Sequence, residues 1–549
     1  MATCFFVLSK YDLTNYSELI KESDILLSVS FIPELNDSGI SYVCLDNYNE
    51  DLYDKDKFEL FFKSYFDFDE DAWAFSNNFY ETCYEYPLKI NNLILKYNID
   101  NFYFPREIKI FSAFGLQKLV AAEYETQNIF LYNREATFLY LIKKISSNKN
   151  IKLNFLKEKP KKVYISLNLL RLLMLFSFEL YRVLKSINKI SSINTNKSKF
   201  LYLFRTSIAS NFSSFRFKKE ANEINYFNSI SHQNSSRKEV VHKNKLVPFI
   251  FDLLCVIFKV INNICIILFK KIPGEINFKQ AFFEIQIMSI QPRLYFLTLN
   301  RAMKKLKDVE TIFNFEVKSP YAFFDEKNAN KLGKKLITIL SFDLLKKKMP
   351  EIFFSKNLHV SSLSLRKQLN EVVVGNKNVF SIYNLHSTRV NNVVDEIRFS
   401  YCVFLDAVNL KSNIKILDFL LLGQYNFCVR KHPRDDYKYN KNYSKLFIDR
   451  DVSDFDLFRS FKFGITGASG IVEVLIANEK PFYLIEEYGF GFTTSMHYYY
   501  EEYYGNIKNI ETLKTHRNDS LLIQSFNNFY IEDKPNFNLA DFYAKIDKI

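Results

Sequence analysis

Short apolar runs alternate with helically spaced residues along the first 135 positions of the chain. Glu107–Glu123 places its apolar residues three and four positions apart, which predicts an amphipathic helix. This helix lies between the last two of five runs with the length and composition of strands: Cys4–Leu8, Asp24–Phe31, Ile40–Leu45, Asn101–Phe104 and Asn128–Tyr132. Strand, helix and strand in this order favour a βαβ unit, from which parallel sheets are built.

A similar pattern returns after a middle segment, 136–300, that is basic, rich in Asn and Ser in places and helical in others. Ser319-Pro320 is typical of a helix start. The elements predicted around it are strand Thr311–Phe315, helix Ala322–Leu332 and strands Leu336–Leu340, Leu358–Ser362 and Glu371–Val374. We therefore expect a Rossmann-like domain over 1–370, with 136–300 inserted in it.

The most regular alternation runs from about 398 to 486. The predicted strands are Tyr401–Leu405, Asn426–Arg430, Leu446–Ile448, Phe461–Ile465 and Phe482–Ile485. The helices between them are Asn413–Leu422, Ser453–Ser460 and Ile471–Asn478. Strands and helices alternating through tight loops predict a second doubly wound parallel sheet over 371–530, followed by a C-terminal helix within 531–549. The fold class expected is α/β with two Rossmann-like domains.

Composition limits the choice of function without deciding it. A chain of 549 residues exceeds a single hydrophobic core, and its net charge of +13 suits an anionic ligand, a membrane surface or nucleic acid. The seven cysteines form no Cys-x-x-Cys pair, and most lie in apolar runs. This predicts reduced, packed thiols in a cytoplasmic protein, and the N-terminus reads as a first strand and not as a signal peptide.

Two stretches are apolar enough to be considered as membrane-spanning helices: Val163–Lys185 and Val247–Lys271. A spanning helix needs about 20 mostly apolar residues, and both stretches carry charged residues that interrupt them. Lysines flank both, as expected of a helix lying on the inner face of an anionic membrane. Two core helices are the alternative, and the sequence leaves both readings open.

Two loops of the second domain carry candidate chemistry. Lys431-His432-Pro433-Arg434 and Thr466-Gly467-Ala468-Ser469-Gly470 each follow a predicted parallel strand, so both belong to the edge where ligands bind. The second loop opens a helix, whose amides and dipole favour a phosphate. Glu473, one turn further, is suited to ribose hydroxyls. Each feature alone is better explained by a solvated loop or a helix cap, but together they favour a nucleotide-phosphate site.

These motifs, with Ala477–Pro481 beyond them, resemble the nucleotide-binding half of bacterial GT-B glycosyltransferases of capsule or lipopolysaccharide synthesis. The likeness is to sialyltransferase-like, Kdo-transferase-like and teichoic-acid-polymerase-like members. Two positions depart from their pattern: Gly467-Ala468-Ser469 replaces a Ser-Ser or Ser-Thr pair, and Leu340-Ser341-Phe342 stands where many members have Gln-His-Gly.

The resemblance implies transfer of a sugar from a nucleotide donor, with no metal or other cofactor, to an oligosaccharide or lipid-linked acceptor. It favours a CMP-sugar over a UDP-sugar and makes His432 catalytic. The helix of the acceptor-side unit supplies Asp325 and Glu326 as candidates for the general base, although a solvated helix face explains them better.

Two other functions stay open, and a metal-dependent one is set aside. A metal-dependent GT-A enzyme needs an Asp-x-Asp motif, and Asp67-Phe68-Asp69 and Asp454-Phe455-Asp456 both match it, as chance allows with 61 acidic residues. A non-catalytic assembly protein that binds nucleotide or glycan would share the fold. The charge and the 17% aromatic content admit a nucleic-acid binder, but the lysines are dispersed and no nucleic-acid-binding motif is present, so we expect no such partner.

Overall fold

The computed structural model contains α-helices and three parallel sheets. It describes residues 2–7, 16–28, 35, 39–45, 48, 55–104, 141–142, 145–147, 149–155, 169–187, 199–204, 222–225, 246–270, 279–315, 319–340, 352–360, 366, 369, 377–380, 396–405, 410–432, 437–449, 454–467, 471, 475, 480–485, 505–507, 510–514 and 539–548. The predicted α/β class is confirmed. The described residues form three sheets, where two were expected.

Sheet 1 is formed by the first five strands in the order β3-β2-β1-β4-β5. The strands are β1 (Ala2–Phe6), β2 (Ile25–Ser28), β3 (Ser41–Cys44), β4 (Ile99–Phe104) and β5 (Lys152–Phe155). The order reverses between β1 and β4, as it does where the two halves of a Rossmann fold meet.

Sheet 2 has the order β11-β10-β9-β8-β6-β7. Its strands are β6 (Phe200–Phe204), β7 (Asn222–Asn225), β8 (Thr311–Asn314), β9 (Lys335–Ile339), β10 (Asn357–His359) and β11 (Asn378–Phe380). Sheet 3 has the order β13-β12-β14-β15-β16. Its strands are β12 (Phe399–Phe404), β13 (Phe427–Arg430), β14 (Phe461–Thr466), β15 (Phe482–Ile485) and β16 (Gly505–Ile507).

Twelve α-helices are described alongside these strands: α1 (Lys55–Phe66), α2 (Ser76–Phe79), α3 (Tyr86–Tyr97), α4 (Leu169–Ile187), α5 (Leu246–Phe269), α6 (Lys279–Met288), α7 (Ile290–Lys305), α8 (Pro320–Lys331), α9 (Leu410–Leu422), α10 (Lys441–Ser444), α11 (Asp454–Ser460) and α12 (Leu539–Asp547). A π-helix covers Tyr80–Glu85, and 3₁₀ helices cover Glu70–Phe75 and Ile510–Lys514. Helix α8 begins as expected, since the Ser319 side chain accepts a hydrogen bond from the Ala322 amide at 3.3 Å and Pro320 follows it.

The chain divides into two compact units. The first comprises Met1–Leu340, Pro350–His359 and Asn370–Val379, and the second comprises Ser341–Met349, Val360–Leu369 and Phe380–Ile549. One continuous apolar core in the first unit runs from Ala2 to Phe354 and serves both sheets 1 and 2. The domain boundaries expected at 370 and 530 stay predictions.

The expectation that 136–300 is an insertion needs correction, because this segment supplies β5 to sheet 1 and both β6 and β7 to sheet 2. Strand β6 reads Phe-Leu-Tyr-Leu-Phe, and its first four residues are buried. A parallel strand covered on both faces is continuously apolar and lacks the alternation that marks a half-exposed strand. Strand β6 was not predicted because it lacks this alternation and stands in an Asn- and Ser-rich part of the sequence.

The predicted strand Leu446–Ile448 is observed only as an isolated bridge from Phe447 to Val429.

Four predicted elements lie wholly or mostly outside the described residues: helix Glu107–Glu123, strand Asn128–Tyr132, strand Glu371–Val374 and helix Ile471–Asn478. The cysteine prediction is confirmed for five of the seven thiols, which are buried and free, whereas Cys255 and Cys265 are exposed on α5. Burial raises the pKa of Cys402 well above its usual value, so this thiol is packed and unreactive.

A buried ionic cluster joins the 3₁₀ helix Glu70–Phe75 to helices α5 to α8. The Asp69 carboxylate, with no exposed side-chain surface, pairs with Arg293, which is 4% exposed, and accepts a hydrogen bond from Gln286 at 2.9 Å. Asp71 pairs with Lys259 at 2.6 Å and Lys327 at 2.5 Å. Burial alone would raise the pKa of Asp71, but these two lysines outweigh it and hold the pKa below its usual value.

Gly464 on β14 allows close contact between the sheet and its neighbouring side chains. A Cβ at this position would stand 3.0 Å from Leu475 Cδ1 and 3.1 Å from Phe482 Cβ. We expect Gly464→Ala to lower the unfolding free energy of the second unit by about 1–3 kcal/mol through overpacking. Calorimetry should show this loss. Lys462→Ala, at an exposed position on the same strand, is the control and should cost less than about 0.5 kcal/mol; an equal effect would contradict the packing argument.

Candidate functional site

The order of strands in sheet 3 identifies where a ligand would bind. Strand β12 lies between β13 and β14, and the chain passes from β12 to β13 on one side before returning to β14 on the other. This is a topological switch point, and in open α/β sheets ligands bind outside the carboxyl ends of the strands at such a point. The crevice lies beyond the ends of β12 and β14, with the end of β13 beside it.

The strand register brings the two predicted loops to the same level of this edge. Phe404 on β12 is paired with Arg430 on β13, and its neighbour Val403 is paired with Ile465 on β14. Lys431-His432 and Thr466-Gly467 therefore both leave the sheet just beyond Phe404. Strands are spaced by about 4.8 Å, so the two loops start about 10 Å apart, close enough for one phosphate group to lie between them.

The residues at the end of β13 form a basic run that local contacts hold in place. The Arg430 guanidinium donates to the Asp449 carbonyl at 2.6 Å. The Lys431 ammonium donates to the Tyr437 carbonyl at 2.5 Å and lies 5.4 Å from the centre of the Tyr439 ring. His432 follows and is half-buried. The imidazole of His432 provides a donor near the end of β13 that suits a phosphate ligand.

Thr466 and Gly467 form the buried end of β14. Thr466 is 1% exposed, and its hydroxyl donates to the Gly467 carbonyl at 3.1 Å. Gly467 is also buried. The chain leaving this strand is therefore enclosed at the switch point, where a backbone amide can approach a phosphate closely.

Several predicted site residues lie outside the described part of the chain: Pro433, Arg434, Ala468, Ser469, Gly470 and Glu473. Their assignment to nucleotide binding stays a prediction. Sequence reasoning also missed the importance of β12, whose end borders the crevice. No local signal marks it, because a switch point depends on the spatial order of strands.

Asp325, a candidate general base, lies inside the first unit. It is 1% exposed, and its two oxygens accept hydrogen bonds from the Tyr295 hydroxyl at 2.8 Å and the Asn314 amide at 3.0 Å. Asn314 ends β8, so this carboxylate fixes the carboxyl end of that strand to α7 and α8. The geometry favours a positioning role for Asp325, and its catalytic role stays a prediction.

Glu326, the second candidate, faces the opposite edge of sheet 2. Its carboxylate is hydrogen-bonded by the backbone amide of Lys356, directly before β10, and lies near Lys377, directly before β11. Both lysines mark the amino ends of parallel strands, whereas ligands bind at the carboxyl ends. Burial raises the pKa of Glu326 despite these two lysines and Asn330. Its role as general base also stays a prediction.

The raised pKa of Glu326 makes the stability of the first unit depend on pH. A carboxyl group whose pKa is higher in the folded state stabilises that state only while protonated, so its contribution is lost as pH rises through the folded pKa. We expect Glu326→Gln to be more stable than the unsubstituted protein at pH 8 and equal to it near pH 4. Urea midpoints read from the single tryptophan, Trp73, test this. Glu310→Gln, at an exposed carboxylate, is the control; matching pH profiles for the two variants would contradict the assignment.

The Asp-x-Asp matches have other roles where they are described. Asp69 belongs to the buried ionic cluster, and Asp67 pairs with Lys270. Asp454 and Asp456 lie at the start of α11. Within the described residues, no group of three or more His, Cys, Asp or Glu side chains is arranged to hold a metal.

Comparisons with known proteins leave the family open. No family model and no curated protein matches the chain. Among solved structures, a putative UDP-N-acetylglucosamine 2-epimerase from Listeria monocytogenes is 10% identical, with 64% of this chain and 98% of that chain covered and a TM-score of 0.36. A further UDP-N-acetylglucosamine 2-epimerase is 10% identical, with 63% and 100% covered and a TM-score of 0.32.

The third similar structure is a variant of the wall teichoic acid polymerase TagF, 11% identical, with 69% of this chain and 96% of that chain covered and a TM-score of 0.33. All three scores lie below 0.5, so these likenesses carry no argument about function. Any functional assignment depends on the geometry of sheet 3.

Proposed function

We propose that the chain is a glycosyltransferase that moves a sugar from a nucleotide-activated donor to a surface polysaccharide or a lipid-linked glycan. The observation that supports this most is the convergence of Lys431-His432 and Thr466-Gly467 at one switch-point edge of sheet 3, by strand order and register. A crevice with a basic side chain on one side and strand-end amides on the other suits a phosphate.

In this proposal the reaction uses positive charge from the protein at the leaving group. Departure of the nucleotide places negative charge on a phosphate oxygen, and donors fixed in advance at that position stabilise the transition state more than the ground state. His432 acts from the end of β13, and the amides after Thr466 act from β14. Arg434 and Ser469 add a permanent charge and a hydroxyl, and Glu473 binds ribose.

The donor proposed is a CMP-sugar in preference to a UDP-sugar, and no metal is required because the protein supplies the positive charge. The protein acts in the cytoplasm. Asp325 and Glu326 of α8 stay the candidates for the general base in this scheme.

Nucleotide binding is the direct test. A ligand that binds only the folded state stabilises it by about 2.7 kcal/mol at a concentration of 100 Kd, so the melting temperature should rise with one of CMP, CDP, UDP or GDP. CMP is the expected ligand. Cytidine is the matched control, because it lacks the phosphate and should give little shift. Absence of a shift with all four nucleotides, or an equal shift with cytidine, would overturn the phosphate site.

A non-catalytic assembly protein on the same fold is the second candidate, since fold alone does not confer activity. It would bind nucleotide in the melting assay but release none from a nucleotide sugar in the presence of acceptor glycans. Turnover therefore separates the two candidates once binding is established.

A further inference from the structure

Helix α5 has the reverse of the polarity expected for a helix on the surface of a protein in water. Such a helix turns an apolar stripe inward and polar residues outward. On α5, Lys259 and Asn262 are the exposed polar residues, and every other exposed position is apolar or cysteine. The large exposed side chains are Val247, Ile250, Phe251, Leu254, Phe258, Ile261, Leu268 and Phe269.

Most of these residues follow one another at intervals of three or four positions, and exposed Cys265 lies between Ile261 and Leu268, so they form one continuous apolar stripe along the helix. At 1.5 Å per residue the stripe is about 33 Å long. Its aromatic members are strongly exposed, with Phe251 at 66% and Phe258 at 70%. A stripe of this length exceeds the scattered single apolar residues of an ordinary surface and marks a site of interaction.

Four polar side chains, three on α5 and that of Lys270 directly after it, are held by the body of the first unit. Asp252 pairs with Arg301. Lys259 pairs with Asp71 at 2.6 Å, and the Asn263 amide donates to Gln286 at 2.9 Å. Lys270 pairs with Asp67. These anchors recur at intervals of four or seven residues, which keeps them on one helix face and fixes the apolar stripe outward.

Length and composition alone would allow Val247–Phe269 to cross a membrane, and it is the one such helix among the described residues. Its contacts argue against crossing. The helix packs along α6 and α7, and its four anchored polar residues tie it to the first unit on one side. A helix with one protein-covered face and one apolar face lies in the plane of the interface.

The charges around α5 indicate what covers the stripe. From 243 to 271 the sequence has five lysines and one acid. Lys259, Lys270 and Asp252 form the ion pairs described above, while Lys243 and Lys245 precede the helix in the sequence and Lys271 follows it. Lysines flank both ends of the helix. Two copies of this chain meeting through the stripe would place lysines against lysines whether parallel or antiparallel. An anionic lipid surface is complementary to both the stripe and its flanks.

We propose that α5 docks the protein on an anionic membrane, lying parallel to the surface with Phe251 and Phe258 among the acyl chains. The enzyme is then peripheral, and its first unit rests against the lipid surface. This inference does not depend on the glycosyltransferase proposal, because vesicle binding requires no nucleotide.

Two native thiols make the docking measurable in the full-length protein. Cys255 and Cys265 are the exposed cysteines, both on α5, while the other five are buried. An environment-sensitive fluorophore attached to them should shift to the blue when vesicles containing phosphatidylglycerol are added, but not with phosphatidylcholine alone. Binding should weaken as salt rises from 0.1 M to 0.5 M, conditions in which the Debye length falls from about 10 Å to less than half of that value. No shift with anionic vesicles at low salt would overturn the proposal.

Substitutions give the decisive comparison. Removing two aromatic side chains in Phe251→Ser/Phe258→Ser should weaken vesicle binding at least about 100-fold in flotation assays, since burial of each ring contributes a tenfold factor or more. The matched control is Leu95→Ser/Leu422→Ser, which removes two exposed leucines, 74% and 85% exposed, from α3 and α9. It should bind normally. Equal binding by the two double variants would overturn the role of α5.

Two further outcomes would also overturn the proposal. If a second copy of the chain covers the stripe, sedimentation velocity without lipid would show a dimer for the unsubstituted protein and a monomer for Phe251→Ser/Phe258→Ser. Alkaline carbonate should release the protein from membranes. If the protein stayed in the membrane fraction, α5 would be a spanning helix. Both phenylalanines are exposed, so the variants should keep the fold, and circular dichroism checks this.

Discussion

His432→Ala should lower the turnover of a nucleotide-sugar donor by about 10²- to 10³-fold, the loss typical when one donor to a developing oxyanion is removed. The imidazole stands at the end of β13, while the Thr466-Gly467 amides approach from β14. Because charge on the phosphate grows as the bond breaks, the loss should appear mainly in kcat. Nucleotide affinity should fall less, since the backbone amides remain. Steady-state kinetics and calorimetric titration of the variant measure the two effects.

Lys438→Ala provides the control for this prediction. Lys438 is exposed in the same connection between β13 and α10, and losing its charge changes the net charge of the loop without touching the edge of the sheet. Its turnover should stay within about twofold of the unsubstituted protein, because surface charges away from a site act weakly. Unchanged turnover in folded His432→Ala, or equal losses in the two variants, would show that the loop is scaffold.

The regular parts of the fold could be predicted because local patterns specify them. Strand β15 is observed at the predicted residues, and α8 starts two residues before its predicted start, after the Ser319 cap. Strands β5 to β7 could not be predicted in the same way. They are short, and β6 is apolar throughout, so its sequence does not distinguish a buried strand from part of a core helix.

The candidate site could be predicted only in part. Glycine, histidine and strand-end position suggested the two loops, and the strand register places their described residues at one edge. Asp325 and Glu326 were selected because they belong to the acceptor-side unit, yet one carboxylate is buried against Asn314 and the other faces the amino ends of strands. Neighbours in sequence point in different directions on a helix, and contacts with distant segments decide their surroundings.

The buried pair of Asp69 and Arg293 could not be predicted from local sequence either, since 224 positions separate its members. Sequence alone presented Asp69 as part of a metal motif. Arg293→Met should lower the unfolding free energy of the first unit by about 3–5 kcal/mol, because it leaves a buried carboxylate without its main partner. Gln286 donates one hydrogen bond to Asp69, and Lys259 lies 3.6 Å from its other oxygen, so neither replaces the guanidinium.

Urea unfolding followed by Trp73 fluorescence measures the loss of unfolding free energy in Arg293→Met. Trp73 reports on the ionic cluster because it lies in the 3₁₀ helix that carries Asp71. Lys199→Met is the matched control in the same unit. It breaks an ion pair with Glu310 whose side chains are 60% and 62% exposed, and it should cost less than about 1 kcal/mol. Asp69→Asn combined with Arg293→Met removes both charges and should recover much of the loss, because the penalty comes from an uncompensated charge. If Arg293→Met costs no more than Lys199→Met, the cluster is hydrated and does not hold α5 to α8 on the first unit.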